Sequence, residues 1–154
     1  MASRIRVGIA GTGSYVPERV VPNKWFEEFL DTDDEWIVQR TGIRERRFAA
    51  DDESTSDLCL HAAEEAMRNA GITADELDMV IVGTITPDYQ LPACAVLVQD
   101  RLGAKNAGAF DVVAACSGFL TALHTGEAFI AAGRARRVLV IGAETLSRFL
   151  NFED

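Results

Sequence analysis

Three short strand candidates, the apolar run 79–82 and the largely apolar segments 109–115 and 137–143, alternate with segments of helical period, and this alternation constrains the fold more than any other feature of the chain. A run too short for a helix and lacking polar alternation reads as a strand buried on both faces. Strands separated by helices imply βαβ units and a mainly parallel sheet. The helical segments carry their own punctuation. Ser54 to Ser56 offer cap oxygens ahead of Leu58, Ala62, Ala66 and Ala70, and Gly71 suits the left-handed residue that closes a helix. Pro92 reads as the first residue of a helix over 93–102 that Gly103 ends, 117–132 as a third helix, and 6–10 as the first of four strands. The predicted class is α/β.

Composition excludes several functions. A chain of 154 residues with 48% hydrophobic and 25% charged residues has the makings of a soluble globular core. A net charge of −9 argues against a broad nucleic-acid surface, and the arginine clusters Arg44/Arg46/Arg47 and Arg134/Arg136/Arg137 read first as solvated faces. No apolar run reaches the roughly 18 residues of a membrane span. The first residues lack a secretory pattern, and the three cysteines lack metal-ligand spacing, so a cytoplasmic chain without a metal is expected. Residues 15–53 read as one long irregular stretch holding both tryptophans, and loops of that length are usually functional.

Cys116 stands where a buried strand passes into a helix, in Phe110-Asp111-Val112-Val113-Ala114-Ala115-Cys116-Ser117-Gly118-Phe119. At such an elbow the thiol faces the first amides of the helix, which favour thiolate over thiol and can hold a developing oxyanion. Spacing alone leaves a nucleophile and a core cysteine both open. Cys59 and Cys94 fall within helical patterns and read as small hydrophobes. His61 reads as exposed, and His124, eight residues beyond Cys116, lies about 12 Å further along a helix, too far for a thiol–imidazole hydrogen bond. Trp36 and Arg40 share a face if residues 33–40 turn helically; they suit an adenine and a phosphate, or a tryptophan that packs a loop. Gly11-Thr12-Gly13 invites a dinucleotide reading, but the third glycine of that fingerprint would fall on Val16. A tight strand-end turn accounts for the two glycines instead.

Taken together, the segments resemble the β-ketoacyl-acyl carrier protein synthase III family over essentially the whole chain. The resemblance rests on Gly11-Thr12-Gly13-Ser14-Tyr15 with Pro17, on Asp31-Thr32-Asp33-Asp34-Glu35-Trp36-Ile37-Val38 through Arg40-Thr41-Gly42-Ile43-Arg44-Glu45-Arg46, and on the run around Cys116. The middle motif is the most specific, since thiolases and chalcone synthases share the cysteine elbow without it. The resemblance implies a thiolase-like fold of stacked α-β-α-β-α layers, with residues 1–154 as the N-terminal half-domain. It implies that Cys116 takes an acyl group from acyl-coenzyme A and that the acyl-enzyme condenses with malonyl-acyl carrier protein, losing carbon dioxide, to start fatty-acid synthesis. Coenzyme A is then part of a substrate, and no cofactor is implied. By the same resemblance Trp36 stacks on the adenine, Arg40 and Thr32 position the nucleotide, Leu146 lines the acyl pocket, and Leu91 reaches into the partner's pocket of a homodimer.

Straight-chain enzymes of the family carry phenylalanine where this chain has Leu91, which implies room for longer or branched primers. The family's catalytic histidine and asparagine lie in a C-terminal half, and this sequence stops at Asn151-Phe152-Glu153-Asp154, inside a motif that usually continues; a second polypeptide segment is therefore expected. An acyltransferase that moves its acyl group to a hydroxyl or amine without decarboxylation would keep the same residues. A non-catalytic acyl-binding module is the alternative from another class.

Overall fold

The computed structural model describes residues 5–152, which form two compact units. One takes Ser54–Glu144 together with the chain up to Tyr15; the other takes Val16–Glu53 and the chain from Thr145 onward. In chain order the elements are β1 (Arg19–Pro22), α1 (Asp34–Thr41), β2 (Glu45–Phe48), α2 (Thr55–Ala70), β3 (Met79–Gly83), α3 (Cys94–Leu102), β4 (Gly108–Val112), α4 (Gly118–Ala131) and β5 (Val138–Gly142), with short 3₁₀ turns between several of them. No described helix is long and apolar enough to cross a membrane.

The first unit is built on a parallel sheet in the order β4-β3-β5, with Gly83 in register with Val112 on one side and Gly142 on the other. The apolar run that predicted β3 is buried on both faces: Val80, Ile81 and Val82 are wholly inaccessible. Burying each such side chain contributes about 1.5–3 kcal/mol. Val80, Val82, Leu139 and Ile141 pack with Cys59 and Ala63 of α2 and with Cys94, Ala95 and Val98 of α3. On the opposite face α4 buries Gly118, Ala122 and Gly126, three small residues four apart. That stripe lets the helix lie close to the sheet; a Cβ on Gly126 would come within 3.1 Å of Val138 and 3.2 Å of Val140.

The predicted helices form, and two of their ends differ from expectation. A capping box joins Ser54 and Asp57 at the start of α2, and Gly71 closes it at φ 67°. Burial works against ionisation of Asp57, but hydrogen bonds from Ser54 and the Arg101 guanidinium outweigh it and hold the carboxyl below its usual range. Pro92 is not the first residue of α3; it precedes the helix, joined to Leu91 by a cis peptide bond. The cap is supplied from β4, where Asp111 accepts from the Cys94 and Ala95 amides at 2.7 Å each. At the third helix, a 3₁₀ turn over Ala115–Ser117 intervenes before α4 begins at Gly118.

Residues 6–10, expected as a strand, pair with none of the described strands, and Ile9 is 74% exposed. Strand-like composition is not sufficient where no backbone partner is in place. The expected glycine turn is also corrected. Neither Gly11 nor Gly13 takes a positive φ. Cβ atoms there would come within 2.5 Å and 2.2 Å of the α2 backbone, so the glycines permit close approach to that helix.

In the second unit β1 and β2 pair antiparallel, Arg19 opposite Phe48 and Pro22 opposite Glu45. The stretch expected to be irregular thus contains a strand pair, a 3₁₀ helix over Asn23–Glu28 and α1. Trp25 packs edge-on against Phe26, Phe29, Phe48 and Phe152. Asn23 is wholly buried and satisfied: its amide nitrogen donates to Asp34 and to the Ile43 carbonyl, and its oxygen accepts from Arg46.

Candidate active site

The carboxyl ends of the three parallel strands lead into Thr84, Cys116 and Glu144, and ligands of open α/β sheets bind at such ends. β4 continues through Val113 and Ala114 into the 3₁₀ turn that holds Cys116 at its centre. Ala115 has φ 45°, in the left-handed region that a residue with a Cβ rarely adopts. Holding it there costs on the order of 1–3 kcal/mol, supplied by the surrounding structure. The Ser117 amide and hydroxyl both donate to the Ala114 carbonyl, at 3.1 and 2.8 Å, and the Gly118 amide donates to Ala115. Those two amides are used within the turn. The Cys116 amide is not among the turn's hydrogen-bond donors, since the first amides of a helical turn have no partner within it.

Cys116 is exposed, whereas Cys59 and Cys94 are fully buried. A hydrogen bond with Cys59, together with burial, pushes the Cys94 thiol far up, which removes it from nucleophilic chemistry at neutral pH. Glu144 pins the loop after β3: it accepts from the Ile85 amide at 3.0 Å and the Thr86 hydroxyl at 2.6 Å. His61 and His124 are both exposed, His61 against the Tyr15 ring at 4.6 Å between centroids. Leu91, in this same unit, is 87% exposed. Among the described residues no group of three or more histidines, cysteines or carboxylates is placed to hold a metal.

Thr32, Trp36, Arg40 and Leu146 belong to the second unit. The Asp33 carboxylate caps α1 by accepting from the Trp36 amide at 2.7 Å. One helical turn later the Arg40 guanidinium lies 4.6 Å from the centre of the Trp36 ring, so the shared face expected from their spacing is formed. Trp36 is 52% exposed, whereas Trp25 is the tryptophan that packs among Phe26, Phe29, Phe48 and Phe152. The Thr32 hydroxyl oxygen is buried without a hydrogen-bond partner, and Leu146 is exposed. The first arginine cluster is more than a solvated face: Arg46 bonds Asn23 and covers the Phe26 ring, and Arg47 donates to the Pro17 carbonyl. In the second, the Arg137 guanidinium forms an exposed ion pair with Glu76 at 3.3 Å, as on a solvated face.

Sequence reasoning missed Asp111, Glu144 and two glycines. Gly83 and Gly142 end β3 and β5 side by side, and both lie directly beneath the first residues of α4. The available signal was a glycine closing each apolar run, at Val82-Gly83 and Ile141-Gly142.

The model of the family described as 3-oxoacyl-[acyl-carrier-protein (ACP)] synthase III matches residues 110–154, which include the Cys116 elbow. A β-ketoacyl-[acyl-carrier-protein] synthase III of Xanthomonas oryzae pv. oryzae is 54% identical over 154 residues, covering 100% of this chain and 47% of the relative. The crystal structure of 3-oxoacyl-[acyl-carrier-protein] synthase III from Aquifex aeolicus VF5 superposes with TM-score 0.91 at 49% identity, over 95% of this chain and 47% of that one. The Thermus thermophilus synthase III gives TM-score 0.91 at 49% identity, over 96% of this chain and 46% of that one. The chain spans about half the length of the relatives it matches.

Proposed function

We propose that this chain, which belongs to the β-ketoacyl-acyl carrier protein synthase III family and carries the N-terminal half of its thiolase-like fold, is the acyl-accepting half of a condensing enzyme that initiates fatty-acid synthesis. The observation that carries this reading is the exposed Cys116 on a strained elbow at the carboxyl end of a parallel strand, with the other two cysteines sealed in the core. In the first half-reaction the Cys116 sulfur attacks the thioester carbonyl of acyl-coenzyme A. The Cys116 amide stabilises the oxyanion, and coenzyme A leaves as its thiol. In the second, malonyl-acyl carrier protein loses carbon dioxide, and the resulting enolate attacks the acyl-enzyme, releasing the Cys116 sulfur and a β-ketoacyl thioester.

Trp36 offers its open face to the adenine, with Arg40 already stacked on the ring and placed for phosphate; the pairing at 4.6 Å supports this. Thr32 assists in holding the nucleotide. Leu146 lines the acyl pocket, and the exposure of Leu91 suits a residue that reaches into the partner's pocket of a homodimer. Coenzyme A enters as substrate, with no resident cofactor, and the enzyme acts in the cytoplasm. Residues 1–154 act as one half-domain and need the half that carries the catalytic histidine and asparagine. The outer side of α4 supports such a partner: Leu120 is exposed there, opposite the buried Gly118, Ala122 and Gly126, and a helix apolar on several faces is ordinarily covered. In the complete enzyme, acyl-coenzyme A plus malonyl-acyl carrier protein should give carbon dioxide and a β-ketoacyl product in equal amounts, and Cys116→Ala should give no product. Acyl transfer to water, hydroxyls or amines without carbon dioxide release would refute the condensing assignment.

A further inference from the structure

We propose that Gly83, which touches no reacting atom, is a positioning residue that sets where Cys116 stands. The inference rests on the reading of Cys116 as acyl acceptor. A Cβ at Gly83 would lie 2.6 Å from the Gly118 carbonyl carbon, 2.7 Å from its oxygen and 2.9 Å from the Phe119 nitrogen. All three are backbone atoms, and carbon atoms pack at about 3.5–4.0 Å. The Gly118–Phe119 peptide would therefore have to retreat by roughly an ångström.

The retreat cannot stay local. The Gly118 amide is bonded to Ala115, and Ser117 is bonded twice to Ala114, so the displacement passes into the turn that has Cys116 at its centre. That turn has little slack, because Ala115 is already at φ 45°. Gly142, level with Gly83 on the neighbouring strand, is a second seat: its Cβ would meet the Phe119 Cβ at 2.8 Å. The constraint runs one way. A Cβ on Gly118 would come no closer to Gly83 than 3.5 Å, an ordinary contact. The strand ends must be glycine so that the elbow can rest on them.

Acylation needs the Cys116 sulfur and amide both aligned on one carbonyl, and a misplacement of about 1 Å costs on the order of 100-fold in rate. Alkylation by iodoacetamide builds no oxyanion and tolerates the shift. In the complete enzyme, Gly83→Ala should lower the ratio of acylation by acetyl-coenzyme A to alkylation by iodoacetamide at least about ten-fold, with KM for the thioester within about two-fold. Gly108→Ala, whose Cβ would enter open space, should keep the wild-type ratio. An unfolded fraction would lose acylation yet still be alkylated, so the ratio is read only on variants in which the buried Cys59 and Cys94 stay unalkylated, which reports that the chain is folded. Gly142→Ala carries the same test should Gly83→Ala fail to fold. A folded variant of either glycine with the wild-type ratio overturns the proposal; so does failure of both to fold, which would make the seats a matter of stability alone. A wild-type enzyme that is not acylated at Cys116 refutes the underlying reading instead, before any variant is compared.

Discussion

Replacing Asp111 with alanine tests how the sheet holds its helices. The Asp111 carboxylate spans from β4 to the start of α3 and takes two amides, those of Cys94 and Ala95, at 2.7 Å. Hydrogen bonds to a charged group are worth about 1.5–3 kcal/mol each, and losing a helix cap costs about 0.5–2 kcal/mol. Both bonds share one half-buried carboxylate, so they do not add fully, and Asp111→Ala should destabilise α3 by about 2–3 kcal/mol. Asp111→Asn keeps one oxygen acceptor and should lose about half as much. Native-state hydrogen exchange reads the effect at its source. The Cys94 and Ala95 amides should exchange roughly 30- to 150-fold faster in Asp111→Ala, while the fully buried β3 amides respond less. Unchanged exchange at both amides would refute the capping account.

Trp36→Ala should weaken coenzyme A binding about ten- to a hundred-fold, since base stacking is worth about 1–3 kcal/mol, with alkylation of Cys116 by a small reagent nearly unchanged. Equal loss of both, followed by titration and alkylation kinetics, would make Trp36 structural. Leu91→Phe should shift primer preference from four- and five-carbon groups toward acetyl, with discrimination of about 1–3 kcal/mol, read from competing kcat/KM values. Acid should destabilise the first unit. Hydrogen bonds from the Arg137 and Arg136 amides hold the Asp78 carboxyl below its usual range, and Asp57 is lowered despite burial. Groups depressed on folding give stability that is full above their unfolded pKa and is lost as pH falls through the folded one, so melting temperature should drop below about pH 4. Asp78→Asn should shrink that drop, and an equal drop in the variant would contradict it.

The elements of the first unit were legible because their burial is written as local period: Val80 to Val82 inaccessible in a strand, and Leu58, Cys59 and Ala63 buried on one side of α2. The Cys116 elbow was legible for the same reason, as a junction of two periods. The second unit was legible only at α1, where Trp36 and Arg40 share the face that their spacing implied. Its strands, Arg19-Val20-Val21-Pro22 and Glu45-Arg46-Arg47-Phe48, are four residues each, rich in charge, and bury only Val21 and Phe48. Their pairing is long-range and leaves no periodic trace. Residues 6–10 show the converse, a strand composition without a partner among the described residues. The supports of the elbow escaped for a third reason: Asp111 caps a helix 16 and 17 residues away, and Glu144 holds Ile85 and Thr86 across 58 and 59 residues. Such bonds depend on tertiary placement. The glycine seats depend on it too, since a glycine that closes an apolar run, as Gly83 does, does not show which backbone comes to rest on it.

The central claim is that Cys116, and neither other cysteine, receives the acyl group. Trypsin separates the three: Cys59 falls within residues 48–68, Cys94 within 69–101 and Cys116 within 106–134. The complete enzyme, incubated with acetyl-coenzyme A and digested under conditions that spare thioesters, should show one acetyl mass on the 106–134 peptide and none on the other two. An acyl mass on 48–68 or 69–101, or none on 106–134, would contradict the account.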